Sequence, residues 1–259
     1  MAGELAGDRR VLRITGADRI GFLQGLVTND VRRLAEGPVY AAMLTPQGKY
    51  LADFLLVAEG DAVLLDVHDS LAAGLVKRLS LYRLRADVQI AETDLMVLRG
   101  LGQPPEGAVW DPRHAALGWR LYAAPGEVTP EPAQIDWDGI RVANGIPESG
   151  VELIPEQSFI LECGFERLRG VDHRKGCYVG QEVTARMKHK TELRKGLVTV
   201  QVEGSAAPGT PIEAGGKPAG TLHTRAGDRA IAYLRFDRAT GPMQAGDATV
   251  RWADAETLA

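Results

Sequence analysis

The segment Lys-Gly-Cys-Tyr-Val-Gly-Gln-Glu, at residues 175–182, combines residue types that could carry thiol chemistry. Lys175 precedes Cys177 by two residues, and apolar residues at four-residue spacing predict a helix that opens just after the cysteine. A nearby cation and the unpaired amide groups of a helix N-terminus both favour thiolate over thiol. Cys177 is therefore a candidate catalytic thiol with Lys175 as its activating cation. The alternative is a buried, inert cysteine beside two turn glycines.

The same segment resembles the K-G-C-[FY]-x-G-Q-E signature of the YgfZ-type folate-binding proteins. These proteins are relatives of the glycine-cleavage T-protein and act in iron–sulfur cluster assembly and repair. The Val-Thr-Ala-Arg that follows at residues 183–186 is also typical of them. The resemblance covers nearly the whole chain, and its less specific parts are residues 12–18, 22–30, 81–85, 144–147 and 153–157.

This resemblance implies an α+β protein with a glycine-cleavage T-protein-like fold, a three-domain ring that ends in an antiparallel β-barrel. It implies tetrahydrofolate or another reduced folate as the cofactor, bound in the central channel. The implied partners are iron–sulfur client enzymes or cluster-assembly proteins, and the implied function is assembly or repair of iron–sulfur enzymes through Cys177. Two alternatives stay open: a folate-dependent aminomethyltransferase, and a non-catalytic folate-responsive adaptor.

A folate site needs a carboxylate for the pterin ring and cations for the anionic glutamate tail. Asp53 is the first candidate carboxylate, because it interrupts an otherwise apolar hairpin strand, and Glu156 is the second. Arg83 and Arg85 follow Tyr82 at a spacing of two residues and could meet the tail. Each of these side chains could instead be a solvated or locally paired charge.

Residues of the cysteine motif complete the candidate cofactor site. Tyr178 could stack on an aromatic ring of the ligand, although a buried tyrosine is more often part of a core. Gln181 and Glu182 are included in the same site. The weaker candidates are Phe22, Arg141 and Arg186.

Two departures from the aminomethyltransferase relatives argue against transfer chemistry. Those relatives carry two adjacent acids in the hairpin strand, where this chain has Ala52 and Asp53. They usually carry a glutamate at the position of Ala143. Both changes favour the folate-binding, non-transferase branch.

Four potential metal ligands fall in one region of the sequence. Cys163, His173, Cys177 and His189 are separated by ten, four and twelve residues, which does not match a recognised zinc spacing. We therefore expect no stable metal site. The resemblance implies instead a transient contact between Cys177 and a cluster or cluster donor.

The bulk properties exclude several classes of protein. With 30 basic and 34 acidic residues the net charge is −4, so no basic excess is present to hold a nucleic acid. No apolar run reaches the length of a membrane span. The first residues lack the features of a signal peptide, and two cysteines in 259 residues indicate a reducing compartment, so we expect a cytoplasmic protein.

Periodicity and turn residues predict the elements that must position these side chains. The N-terminal third is expected to run strand, helix, three strands, helix and strand, with Asp18 and either Asp69 or Ser70 as helix caps. Five short β segments separated by turn residues after residue 195 predict a small barrel. The predicted domains are residues 1–92, the folate-binding unit; residues 93–190, the unit with the cysteine motif; and residues 191–259, the barrel.

Overall fold

The computed structural model describes residues 3–190 and 192–252. The chain divides into two compact units, each built from separate stretches of sequence. Unit 1 comprises Met1–Ile135, Pro155–Gln157 and Phe165–Ala185, and unit 2 comprises Asp136–Ile154, Ser158–Gly164 and Arg186–Ala259. The division into three consecutive domains stays a prediction.

Strands dominate the described part of the chain. The strands are β1 (Glu4–Leu5), β2 (Arg9–Thr15), β3 (Val39–Leu44), β4 (Tyr50–Glu59), β5 (Ala62–His68), β6 (Gln89–Glu92), β7 (Met96–Gly100), β8 (Val109–Trp110), β9 (Trp119–Ala123), β10 (Lys195–Glu203), β11 (Pro211–Ala214), β12 (Lys217–Ala226), β13 (Arg229–Arg235), β14 (Met243–Ala245) and β15 (Ala248–Arg251). The α-helices are α1 (Arg19–Gln24), α2 (Asp69–Arg83), α3 (Trp137–Ala143) and α4 (Gln181–Lys190), and two 3₁₀ helices span Val31–Ala35 and Ala115–Leu117. None of the described helices is long and apolar enough to cross a membrane.

Two antiparallel sheets form unit 1. The five-stranded sheet has the order β3-β4-β5-β2-β6, and the four-stranded sheet has the order β1-β7-β9-β8. Strand β4 is buried along most of its length because both faces of its sheet are covered, which explains its continuous apolar run. Ala52, Phe54 and Leu56 point into the main core, to which Leu75 and Leu79 of α2 also belong.

A buried ionic network joins the two sheets of unit 1. Asp66 of β5 accepts hydrogen bonds from Arg9 and from Arg120 of β9, and Arg120 also reaches Asp111, which pairs with Arg113. Burial alone would raise the pKa values of both aspartates, but the facing guanidinium groups outweigh it and lower them. The network therefore depends on both carboxylates staying ionised.

Unit 2 contains a closed six-stranded barrel with the order β10-β13-β12-β11-β14-β15. Five strands coincide with the segments predicted from sequence, and β14, which is three residues long, was missed. Helix α3 contributes the buried Arg141, whose guanidinium donates to Glu152 and to the Thr224 hydroxyl of β12. Glu152 in turn accepts from the Thr224 hydroxyl and amide, so these contacts fix α3 to the barrel.

The predicted N-terminal element order is confirmed, with the short β1 and a 3₁₀ helix as additions. Asp18 is the N-cap residue of α1 as predicted, but its side chain does not cap the helix, and the predicted cap of α2 is wrong. The Asp18 side chain accepts from the amide of Asp87 rather than from α1. Helix α2 is capped by His68, whose ring nitrogen accepts from the amide of Ser70. Histidine is an uncommon cap, so composition gave no signal for it.

Candidate functional site

Cys177 lies exposed on a loop of unit 1 that spans residues 170–180 and is called the cysteine loop below. Gly176 precedes it with φ of +100°, a conformation that favours glycine. Helix α4 begins only at Gln181, because Gly180 adopts φ of +85°. The prediction that Cys177 sits at the helix N-terminus is therefore wrong by one turn.

The side chain of Lys175, which is part of the cysteine loop, is buried and anchors the loop. Its ammonium group donates to the main-chain oxygens of Gln24, at 2.6 Å, and Val27, at 2.5 Å. The Gln24 side-chain amide donates to the Lys175 carbonyl in return. Burial lowers the pKa of Lys175 to about 8, against the opposing pull of Asp30 and Asp172. The ammonium also lies 5.0 Å from the centre of the Tyr178 ring.

Two buried polar residues hold the segment of chain that leads to Cys177. Sequence reasoning missed both of them. The Thr28 hydroxyl donates to the Gly170 carbonyl and accepts from the amide of Ala42 in β3. The Asn29 side-chain amide donates to the carbonyls of Tyr40 and Arg169. The available signal was the cluster of polar residues in the otherwise apolar segment 22–31.

The far end of the cysteine loop rests on the β3–β4 turn. A Cβ atom added to Gly180 would lie 2.6 Å from the Thr45 carbonyl oxygen and 2.9 Å from Leu44 Cβ. A Cβ atom added to Gly48 of the turn would lie 2.8 Å from Cβ of Val183 in α4. Two glycines thus permit the close approach of loop and hairpin, so Cys177 projects from a segment that is fixed at both ends.

Asp53 of β4 is buried, with 3% of its surface exposed. The hydroxyl of Tyr40 donates to one of its carboxylate oxygens at 2.9 Å, and the hydroxyl of Tyr50 donates to the other at 2.6 Å. Burial and the Asp53 charge raise the pKa of Tyr40 well above its usual value, so that phenol remains a donor.

Tyr40, which donates to Asp53, also packs beside the start of the cysteine loop. The Tyr40 ring stacks on Phe165 with centroids 5.0 Å apart. A Cβ atom at Gly170 would lie 2.5 Å from Phe165 and 2.8 Å from Tyr40, so glycine is needed where the loop passes these rings. Because Thr28 holds Gly170, the loop that carries Cys177 begins against the tyrosine that binds Asp53.

Glu156 occupies a turn rather than a helix, with φ of +62°. Its amide donates to the Tyr50 carbonyl, and its carboxylate lies 3.4 Å from Arg78. Both side chains line a cavity of about 290 Å³ between α2 and the hairpin, which Ala52 also lines. The other lining residues are Met43, Leu51, Ser70, Leu71, Gly74, Leu75 and Pro155. Asp53 is not among them.

The remaining candidates are dispersed over the surface and the cores. Arg83, Arg85 and Glu182 are exposed, and Gln181 is half-buried at the start of α4. Tyr178 is buried. The described contacts of Asp53 thus come from tyrosines, not from the predicted arginines. The other weaker candidates are Phe22, half-buried against the main core, the buried Arg141, and the exposed Arg186.

Comparison with known proteins places these features in a family. Residues 194–258 match the family described as CAF17, C-terminal beta-barrel domain. The iron–sulfur cluster assembly factor IBA57, mitochondrial, of Mus musculus is 31% identical over 280 residues, which cover 91% of this chain and 78% of that protein. Its Homo sapiens counterpart is 31% identical over 276 residues, with the same shares covered.

The predicted cytoplasmic localisation is contradicted by these relatives, which are named as mitochondrial proteins. The prediction rested on first residues that lack the features of a signal peptide and on the low cysteine count. Both properties suit any reducing compartment, so they do not separate the cytoplasm from the interior of an organelle.

The predicted fold class is confirmed by a solved structure. The glycine cleavage system aminomethyltransferase T from Bartonella henselae superposes with a TM-score of 0.73 at 12% identity, and the match covers 96% of this chain and 85% of that one. At this identity the likeness concerns the fold alone. The 31% identity along 91% of the chain, in contrast, shows that the chain belongs to the IBA57 family of iron–sulfur cluster assembly factors.

Proposed function

We propose that this protein supports the assembly or repair of iron–sulfur enzymes by binding a cluster through the thiolate of Cys177. The observation that carries the proposal is the exposure of Cys177 on a loop that Lys175, Thr28 and Gly180 fix in place. A ligand held on a rigid support binds without the cost of ordering a flexible loop. The second cysteine, Cys163, is buried and is not placed for this role.

The cluster is cargo that a second protein must help to hold. Iron–sulfur clusters are commonly bound by four cysteine thiolates. The whole sequence contains two cysteines, of which one is exposed. The remaining ligands therefore come from a cluster-assembly protein or a client enzyme. In the binding step the Cys177 sulfur replaces a terminal thiolate of the donor protein on one iron of the cluster. The proton of the Cys177 thiol passes to the departing thiolate, and no electron is transferred.

Complementation tests the role of Cys177. In a strain that lacks this protein we expect low activity of iron–sulfur enzymes, restored by the wild-type chain and by Cys163→Ala but not by Cys177→Ala. Cys177→Ala removes one exposed side chain, so the variant should fold normally, which circular dichroism checks. Full rescue by folded Cys177→Ala would refute the thiol mechanism and favour the adaptor. Normal cluster-enzyme activity in the strain without the protein would reopen the transferase alternative.

We further propose that the protein binds a reduced folate through Asp53. The support is a buried carboxylate that two tyrosine hydroxyls already orient, on the same structural base as the cysteine loop. The amide N–H and the amine of a pterin offer a carboxylate two parallel hydrogen bonds. Because both Asp53 oxygens accept from phenols, binding requires the pterin to share or replace these bonds.

Calorimetric titration with tetrahydrofolate tests this second part. We expect a dissociation constant in the micromolar range, about −8 kcal/mol. Asp53→Asn keeps the size of the side chain but removes its charge, and it should weaken binding about ten-fold or more. Leu55→Met, on the same strand, is the control. Equal affinity of Asp53→Asn and wild type would remove Asp53 from the site without affecting the proposal for Cys177.

A further inference from the structure

The chain turns sharply where helix α2 ends, and a leucine stands at the tightest point. Leu84 has φ of +44° and ψ of −105°, and the amide of Ala86 donates to the carbonyl of Arg83 at 2.8 Å. These values and this hydrogen bond describe a type II′ turn, whose first central residue has φ of about +60° and is usually glycine. A branched side chain there strains the backbone.

The strained leucine contributes nothing to a core. Leu84 is 89% exposed, and Leu81, one turn earlier, is 66% exposed. Tyr82 is 38% exposed, and the side chains of Arg83 and Arg85 are exposed beside them. We call these five residues the α2-end patch. Glycine at position 84 would remove the strain, so folding gives no reason for a leucine at this point.

The α2-end patch is held rigidly on both sides. Helix α2 precedes it, with Leu75 and Leu79 in the main core. Asp87 follows it and is fixed by two hydrogen bonds, from its amide to the Asp18 carboxylate and from the Ala17 amide to its own carboxylate. The conformation of Leu84 is therefore imposed by its flanks.

We propose that the α2-end patch is a docking site for a segment of a partner protein that carries carboxylates next to large apolar side chains. Planar guanidinium groups pair with carboxylates in bidentate fashion, so Arg83 and Arg85 select an acidic partner. Leu81 and Leu84 contribute binding free energy only if apolar groups of the partner cover them and remove them from water. A folate tail would use the arginines but leave both leucines in water.

The test is a selection without a presumed partner, followed by titration. A random twelve-residue peptide library is selected on the wild-type protein and depleted on Leu84→Gly. We expect the retained peptides to combine Asp or Glu with Leu, Ile or Phe. Titration of one retained peptide should show at least ten-fold weaker binding to Leu84→Gly and to Arg83→Glu/Arg85→Glu. Lys217→Glu, a charge reversal on the barrel, and Cys177→Ala should bind it like wild type.

A stability measurement separates docking from folding. Because glycine adopts φ of +44° without strain, Leu84→Gly should keep or raise the thermal midpoint while it loses the peptide. A lowered midpoint would mean that Leu84 packs in the fold, which overturns the proposal. Selection of peptides without acidic residues, no enrichment at all, or Leu84-dependent binding to phosphatidylserine vesicles in place of peptides would overturn it as well.

Discussion

Substitution of Gly180 by alanine tests whether the cysteine loop depends on its contact with the β3–β4 turn. The new Cβ atom would lie 2.6 Å from the Thr45 carbonyl oxygen and 3.2 Å from the Cα atom of Gly48, both of which are main-chain atoms. The chain offers a matched control in Gly176, which has φ of +100° but open space around the added atom. Both variants share the backbone strain, and only Gly180→Ala adds the collision.

The two costs can be estimated separately. Positive φ costs alanine about 1–2 kcal/mol, and Gly180→Ala adds about 1–3 kcal/mol for overpacking against main chain. We therefore expect a clearly larger loss of unfolding free energy for Gly180→Ala than for Gly176→Ala, measured by urea denaturation. In thermal unfolding each kcal/mol corresponds to about 2–4 °C in a protein of this size. Equal losses in the two variants would show that the loop does not rest on the turn and would refute this account of its rigidity.

Three further predictions concern the buried polar contacts. Thr28→Val leaves two main-chain groups without their hydroxyl partner and should cost about 2–4 kcal/mol in urea denaturation, whereas Thr28→Ser should cost less than 1 kcal/mol. Asp66 and Asp111 have folded pKa values below their unfolded value of about 3.9, so their stabilisation is present above pH 4 and is lost as the pH falls toward the folded values. The unfolding midpoint should therefore drop as the pH falls below about 4, and a profile that stays flat down to about pH 2 would contradict the network. Arg141→Met leaves the Glu152 carboxylate buried without its cation and should lower the free energy of unfolding by about 3–5 kcal/mol in urea denaturation.

The sequence was most informative where its signal was local. Alternation and turn residues predicted β3, β4 and most of the barrel, because period two and glycine-rich turns reflect backbone geometry directly. Asp53 was recognised as a candidate site residue because it interrupts an apolar strand. Its partners Tyr40 and Tyr50 were not, since a tyrosine in a strand has the same pattern whether its hydroxyl is bonded or not.

Long-range main-chain contacts left no comparable signal. The acceptors of the Lys175 ammonium are carbonyl oxygens 148 and 151 residues away, and every residue carries such an oxygen. The sequence therefore suggested Cys177 as the partner of Lys175. The late start of α4 follows from the positive φ of Gly180, a residue that also has no room for a Cβ atom beside the β3–β4 turn.

The discontinuity of unit 1 has a consequence for the order in which the protein matures. Its sheets lie within residues 1–135, whereas the loop with Cys177 belongs to residues 165–185, which the ribosome makes later. The hydrogen bonds of Gln24, Thr28 and Asn29 to this segment can form only after it has been synthesised. They join residues that are about 140 to 151 positions apart, and contacts of such long range form slowly. Cys177 is thus added to sheets that have already been synthesised, and a nascent chain that stalls before residue 165 has these sheets but lacks Cys177.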